Sequence, residues 1–166
     1  MPATYEKIAT TTLGSAAATI TLSSIPATYT DLTLVLIGTT SNTNYIRLQF
    51  NSDTATNYSY TILSGNGTTA TSTRNSTQSS ILCNNSGSTS TTVPTLTNFN
   101  VFSYAGATNK TVLVTRSGDL NGSGAQENIV GLWRSTSAIT SITILLNGAG
   151  DYSIGTTATL YGILKA

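Results

Sequence analysis

Apolar and polar residues alternate with a period of two along almost the whole chain, and helical spacing is nearly absent. That periodicity predicts strands. Between Tyr45 and Asn51 the split is clean: Ile46, Leu48 and Phe50 fall on one side, Tyr45, Arg47, Gln49 and Asn51 on the other. A strand with one buried face reads this way. Leu32 to Ile37 is apolar on both sides over part of its length, which predicts a strand inside a sheet. The same reading places strands over Asp31 to Thr39, Tyr58 to Leu63, Asn98 to Tyr104, Lys110 to Arg116, Asn128 to Arg134, Ile139 to Asn147 and Thr157 to Leu164. Ile8 to Leu13 and Ala18 to Leu22 carry the pattern more weakly.

Turn residues tolerant of positive φ separate these runs at Gly65-Asn66-Gly67, Gly118 to Gly122 and Asn147 to Asp151. Many short strands with no helix between them predict one all-β domain over residues 1–166. The expected architecture is an antiparallel β-sandwich, in jelly-roll form by preference. Ser64 to Thr97 departs from the pattern, being nearly all Ser, Thr, Asn and Gly around Ile81-Leu82-Cys83 and Val93-Pro94. A structureless stretch of that length is uncommon inside a compact domain. It hides one or two short edge strands, or it is an arm that orders against a neighbour.

Composition narrows the chemistry. The 166 residues include no histidine, one cysteine, seven basic and six acidic side chains. Charged residues make up 8% of the chain against the roughly 25% usual for soluble domains, while β-branched residues abound. Without histidine, Ser-His-Asp and Cys-His catalysis is excluded, and one cysteine cannot build a His/Cys zinc site. No Ser-x-x-Lys motif occurs. The basic residues are scattered, so the phosphate-neutralising cluster that nucleic-acid binding requires is missing. The longest apolar run, Leu34 to Ile37, is far short of a membrane span, and the N-terminus lacks the features of a secretory signal. We therefore expect no enzyme, no cofactor, no metal, no nucleic acid and no membrane partner.

Three features weigh against that plain picture. Glu6, Asp31, Asp53, Asp119, Glu127 and Asp151 could formally supply a glycosidase pair, but most fall at turns and strand ends, where Asp caps or solvates. Asp119 to Gly124 starts like a calcium loop, yet the closing twelfth position is Val130, so a hairpin connection is expected instead. Trp133 with Arg134, and Tyr58, Tyr60, Tyr104, Tyr152 and Tyr161, could form a sugar platform or a protein-contact patch, but Trp133 shares a strand face with Ile129 and Gly131 and is expected in the core.

A β-domain with few lysines lacks the usual guard against edge-to-edge pairing. Neighbouring copies would then cover its edges, which predicts a symmetric homo-oligomer, a trimer ahead of a dimer. Uncharged Thr, Ser and Asn faces also desolvate at lower cost than charged ones.

Tyr5 to Leu13, Ile25 to Leu32, Arg47 to Asn51, Asn57 to Thr61 with Gly65-Asn66-Gly67, and Ala158 to Ile163 resemble segments of small virion structural proteins of tailed bacteriophages, those of cyanophages first. The resemblance covers nearly the whole chain and rests on strand and turn sequences. It implies a β-sandwich on the outer surface of a phage particle assembled in the host cytoplasm, with the major capsid protein or other virion proteins as partners. A capsid decoration (cement) protein that clamps the shell is the first expectation. A head or tail fibre, or receptor-binding domain recognising host glycans, is the alternative. Residues 1–13 or the polar stretch 64–97 would be the docking arm, with Tyr5, Ile8, Tyr58, Tyr60, Ile81 and Leu82 as candidate partner contacts.

Overall fold

The structure, a computed structural model, describes residues 4–85 and 89–164. Twelve strands follow one another: β1 (Tyr5–Thr12), β2 (Thr19–Leu22), β3 (Asp31–Gly38), β4 (Ile46–Phe50), β5 (Tyr58–Gly65), β6 (Ala70–Gln78), β7 (Ile81–Leu82), β8 (Thr95–Phe102), β9 (Lys110–Asp119), β10 (Gly124–Trp133), β11 (Ile142–Leu146) and β12 (Thr157–Ile163). All pairings are antiparallel, in an eight-stranded sheet ordered β1-β12-β3-β8-β9-β10-β5-β6 and a four-stranded sheet ordered β2-β11-β4-β7. The protein is an all-β sandwich. Among the described residues no helix is long and apolar enough to cross a membrane.

The alternation read from the sequence becomes the core. Leu32, Leu34 and Leu36 of β3, Ile46, Leu48 and Phe50 of β4, and Ile142, Ile144 and Leu146 of β11 are buried and belong to one hydrophobic cluster joining both sheets. Cross-strand register carries the middle of the large sheet's inner face as one apolar row, Leu160-Leu34-Phe99-Val114-Ile129-Ile62. Where the sheets meet closely, a side chain is omitted: a Cβ on Gly131 would lie 2.6 Å from Ile81 Cδ1.

Set aside the hairpins β5–β6 and β9–β10, and the remaining pairs nest from the outside inward. β1 lies beside β12, β2 beside β11, β3 beside β8 and β4 beside β7. The hairpins extend only the large sheet, which is therefore twice as wide as the small one. At the β9–β10 turn Gly124 has φ +139°, and a Cβ there would meet Gly118 O at 2.1 Å, so glycine is required.

The polar stretch hides edge strands, the first of its two expected readings, and the N-terminal segment forms a strand as well. The docking arm expected over residues 1–13 is, from Tyr5 to Thr12, an edge strand paired with β12; residues 1–3 lie outside the described residues. The polar stretch 64–97 contains β6, β7 and the start of β8, with β6 and β7 at the sheet edges. Its Ser, Thr and Asn alternate without hydrophobic contrast, so period two could not show there. Boundaries differ modestly as well: β11 is limited to Ile142–Leu146, and the first strand starts at Tyr5.

Candidate interaction surface

The outer face of the large sheet takes the residues that alternate with the core. One row reads Thr10-Thr159-Val35-Asn98-Thr115-Asn128-Leu63, and the next Lys7-Tyr161-Thr33-Asn100-Leu113-Val130-Thr61-Arg74. Its charges are few and lie toward its margins: Lys7 on β1, Arg74 on β6, and Asp31 and Asp119 at strand ends. Several polar groups are already satisfied sideways within the sheet: Thr10 with Thr159 (3.3 Å), Thr12 with Thr157 (3.3 Å), and Thr33 Oγ1 donating to Asn100 Oδ1 (3.0 Å). Such hydroxyls need not be stripped of water to the full cost of an unpaired group when the face is covered. Ile37, Leu63 and Val130 stand exposed among them, at 47%, 57% and 53%. Beside Val130 a groove of about 230 Å³ is lined by Tyr60, Thr61, Arg74, Asn75 and Leu132. A broad, near-neutral face with scattered apolar side chains can bind another protein.

The candidate contact residues separate on this map. Tyr5 is exposed at 57% on edge strand β1, while Ile8 and Leu82 are half-buried against the core. Tyr58 and Ile81 are buried, and Tyr60 is buried but for the part that lines the groove. The reason is β5's alternation, which turns Tyr58, Tyr60 and Ile62 inward together. Burial raises the Tyr58 hydroxyl to about 12. Tyr104 and Tyr152 are buried as well.

Trp133 is in the core, stacked on Tyr58 (centroids 6.3 Å) and tilted against Phe50 (5.5 Å), so its faces are occupied. Its Nε1–H donates to Asp53 Oδ2 at 2.7 Å, and Asn57 Nδ2 donates to the same oxygen at 3.0 Å. Asp53 Oδ1 accepts from the Ala55 N–H. Hydrogen bonds from Asn57 and Trp133 hold this carboxyl below its ordinary range. Asp53 thus pins the β4–β5 turn to the end of β10.

Other acids are likewise engaged. Asp31 Oδ1 accepts the Ser103 N–H (2.7 Å), Glu6 Oε2 accepts from the Tyr29 hydroxyl (3.1 Å), and Asp119 Oδ1 accepts the Asn121 N–H (2.9 Å) inside the β9–β10 turn. Glu127 is fully buried: Oε2 pairs with Arg116 Nη1 at 3.2 Å, and Oε1 accepts from Ser64 Oγ (2.9 Å) and the Asn85 N–H (2.7 Å). No cluster of three or more His, Cys, Asp or Glu side chains that could hold a metal occurs among the described residues.

Sequence reasoning missed this buried pair and the outer-face rows. Arg116 and Glu127 are opposed across β9 and β10, a register that the Asp119-to-Gly124 turn would have given. Burial of both could be read from their strand faces, which they share with Val112, Val114, Ile129 and Trp133. Comparison with protein-family models, with curated proteins and with solved structures returned no match.

Proposed function

We propose that this chain is a virion structural protein, a jelly-roll sandwich widened by two hairpins, that binds the outer surface of a phage shell as a decoration protein. The broad outer face of the large sheet is the observation that carries the reading. It carries few charges, several of its hydroxyls are bonded laterally, and its exposed apolar residues Ile37, Leu63 and Val130 are dispersed. Such a face suits a fixed, wet contact with another protein surface. The nested pairing of β1 with β12, β2 with β11, β3 with β8 and β4 with β7 supports the jelly-roll form. Acids engaged in a turn, in bonds to the Ser103 N–H and the Trp133 indole, and in a buried ion pair favour structure over catalysis. The glycan-binding alternative gains least, because Trp133 and four of the candidate platform tyrosines are internal.

Electron microscopy of purified particles carrying the labelled protein tests this. Label at symmetric positions over the head is the expected result. Label confined to the tail, or particles without it, overturns the reading. Deleting the first dozen residues would not test docking, because it would remove β1 and uncover β12.

A further inference from the structure

Among the described residues the two sheets have four edges: β1 and β6 on the large sheet, β2 and β7 on the small. Edges leave alternate backbone N–H and C=O groups unpaired, and strands join there unless shortness, charge, proline or a bulge prevents it. Three edges are guarded. β2 has four residues and β7 two. β1 carries Glu6 and Lys7, and a bulge between Lys7 and Ala9 breaks its register. β6 is different. It has nine residues, mostly exposed, without proline, and its irregularity lies at the far end, where Thr77 has φ 55°. Its one charge, Arg74, is folded back, with Nε donating to Thr61 Oγ1 at 3.2 Å.

We propose that β6 pairs antiparallel with β6 of a second copy about a two-fold axis at Ser72, joining two large sheets into one. The register follows from the β5–β6 turn. The Asn66 N–H bonds Thr69 O, and from that pair the antiparallel alternation directs the backbone groups of Thr71, Thr73 and Asn75 toward β5. Those of Ala70, Ser72 and Arg74 then face outward. Centring the pairing on Ser72 sets Ser72 opposite Ser72 and Ala70 opposite Arg74, so every outward group gains a partner. A centre at Arg74 would oppose like charges, which is unfavourable.

The occupant is a second copy for two reasons. β6 offers a partner no large apolar side chain; it offers its backbone and a row of hydroxyls, and the same sequence matches both through Thr–Thr pairs. One isologous contact also covers both undefended edges at once. The three-fold ranked first from sequence would need β6 of one copy on β1 of the next, where charges and a bulge stand in the way. This inference does not rest on the virion reading, and its tests use the isolated protein.

Light scattering of the wild type should give twice the 17.2 kDa chain mass. Ser72→Pro removes an outward N–H and leaves the bonds to β5 in place, so it should be monomeric with an unchanged circular dichroism spectrum; Ser72→Lys should weaken the dimer without touching the fold. In a hydrogen-bonded pair the two Ser72 Cα atoms would lie about 5.5 Å apart, within the roughly 4.4–6.8 Å a disulfide spans. Ser72→Cys should therefore link two copies under mild oxidation or with a short thiol-bridging reagent. Ala70→Cys should not, its two copies being roughly 13 Å apart at four strand rises; the native Cys83 is buried and does not compete. A wild-type mass of one chain at every concentration overturns the proposal. So does an oligomer unchanged by both Ser72→Pro and Ser72→Lys, or one in which Ser72→Cys links no faster than Ala70→Cys.

Discussion

Two neighbouring rows on the inner face of the large sheet are buried by different means. Leu160, Leu34, Phe99, Val114, Ile129 and Ile62 cross six strands without a polar side chain. Two residues along the same strands the row reads Ala158, Leu36, Thr97, Arg116, Glu127 and Ser64. What differs is the backbone packed on it. The second row meets the irregular segment after β7, whose Asn85 N–H donates to Glu127. A regular strand satisfies its own backbone and asks only for hydrocarbon, whereas an irregular segment needs acceptors brought to it. The buried carboxylate is one such acceptor, and Arg116 then offsets its charge.

The two largest predicted effects are similar in size and differ in their remedy. Phe99→Ala should cost about 3–5 kcal/mol by leaving a cavity, and no single change elsewhere should restore it. Glu127→Leu should cost about 3–5 kcal/mol by leaving Arg116 buried without its counter-ion; adding Arg116→Met should recover the charge part of that loss and not the part due to the Asn85 N–H and the Ser64 hydroxyl losing their acceptor. Urea midpoints of the three variants would measure this; a double variant as unstable as Glu127→Leu alone would erase the distinction between the rows.

Next comes the mixed site at the strand ends. Trp133→Phe loses the bond to Asp53, at about 1.5–3 kcal/mol, and the smaller ring adds a cavity term to that. The pH dependence of stability should follow from the same carboxyl. Its pKa is lowered in the folded state, so its contribution is complete above the unfolded value of about 4 and is lost as pH falls through the lower folded value. The wild-type melting temperature should accordingly drop more steeply than that of Asp53→Asn below about pH 4. Smallest of all, Thr71→Ser on β6 should change monomer stability by no more than about 0.5 kcal/mol, because little is packed there. A larger loss would mean that β6 is as integral as the central strands.

Most of the sandwich was legible because its strands carry hydrophobic contrast. Ile46, Leu48 and Phe50 declare their inner face by themselves, and Trp133 could be placed inside from Ile129 and Gly131. The burial of Tyr58 and Tyr60 was harder to read, because tyrosine suits both surface and core; only Ile62, in the same alternation, argued for it. Ala70 to Gln78 has no contrast to read, since this largely exposed strand is polar at every position after Ala70. The outer-face rows were illegible for another reason. Alternation within a strand says in or out, while lateral neighbours depend on strand order, and the order β8-β9-β10-β5 is not local information.

Cys83 lies wholly inside the sandwich, its N–H bound to Ile46 O (2.8 Å), and burial raises its thiol pKa. A thiol reagent in solution reaches this sulfur only while the two-residue strand next to it is lifted away. The chain therefore carries an internal clock: its rate of native-state labelling counts how often that corner of the small sheet peels open.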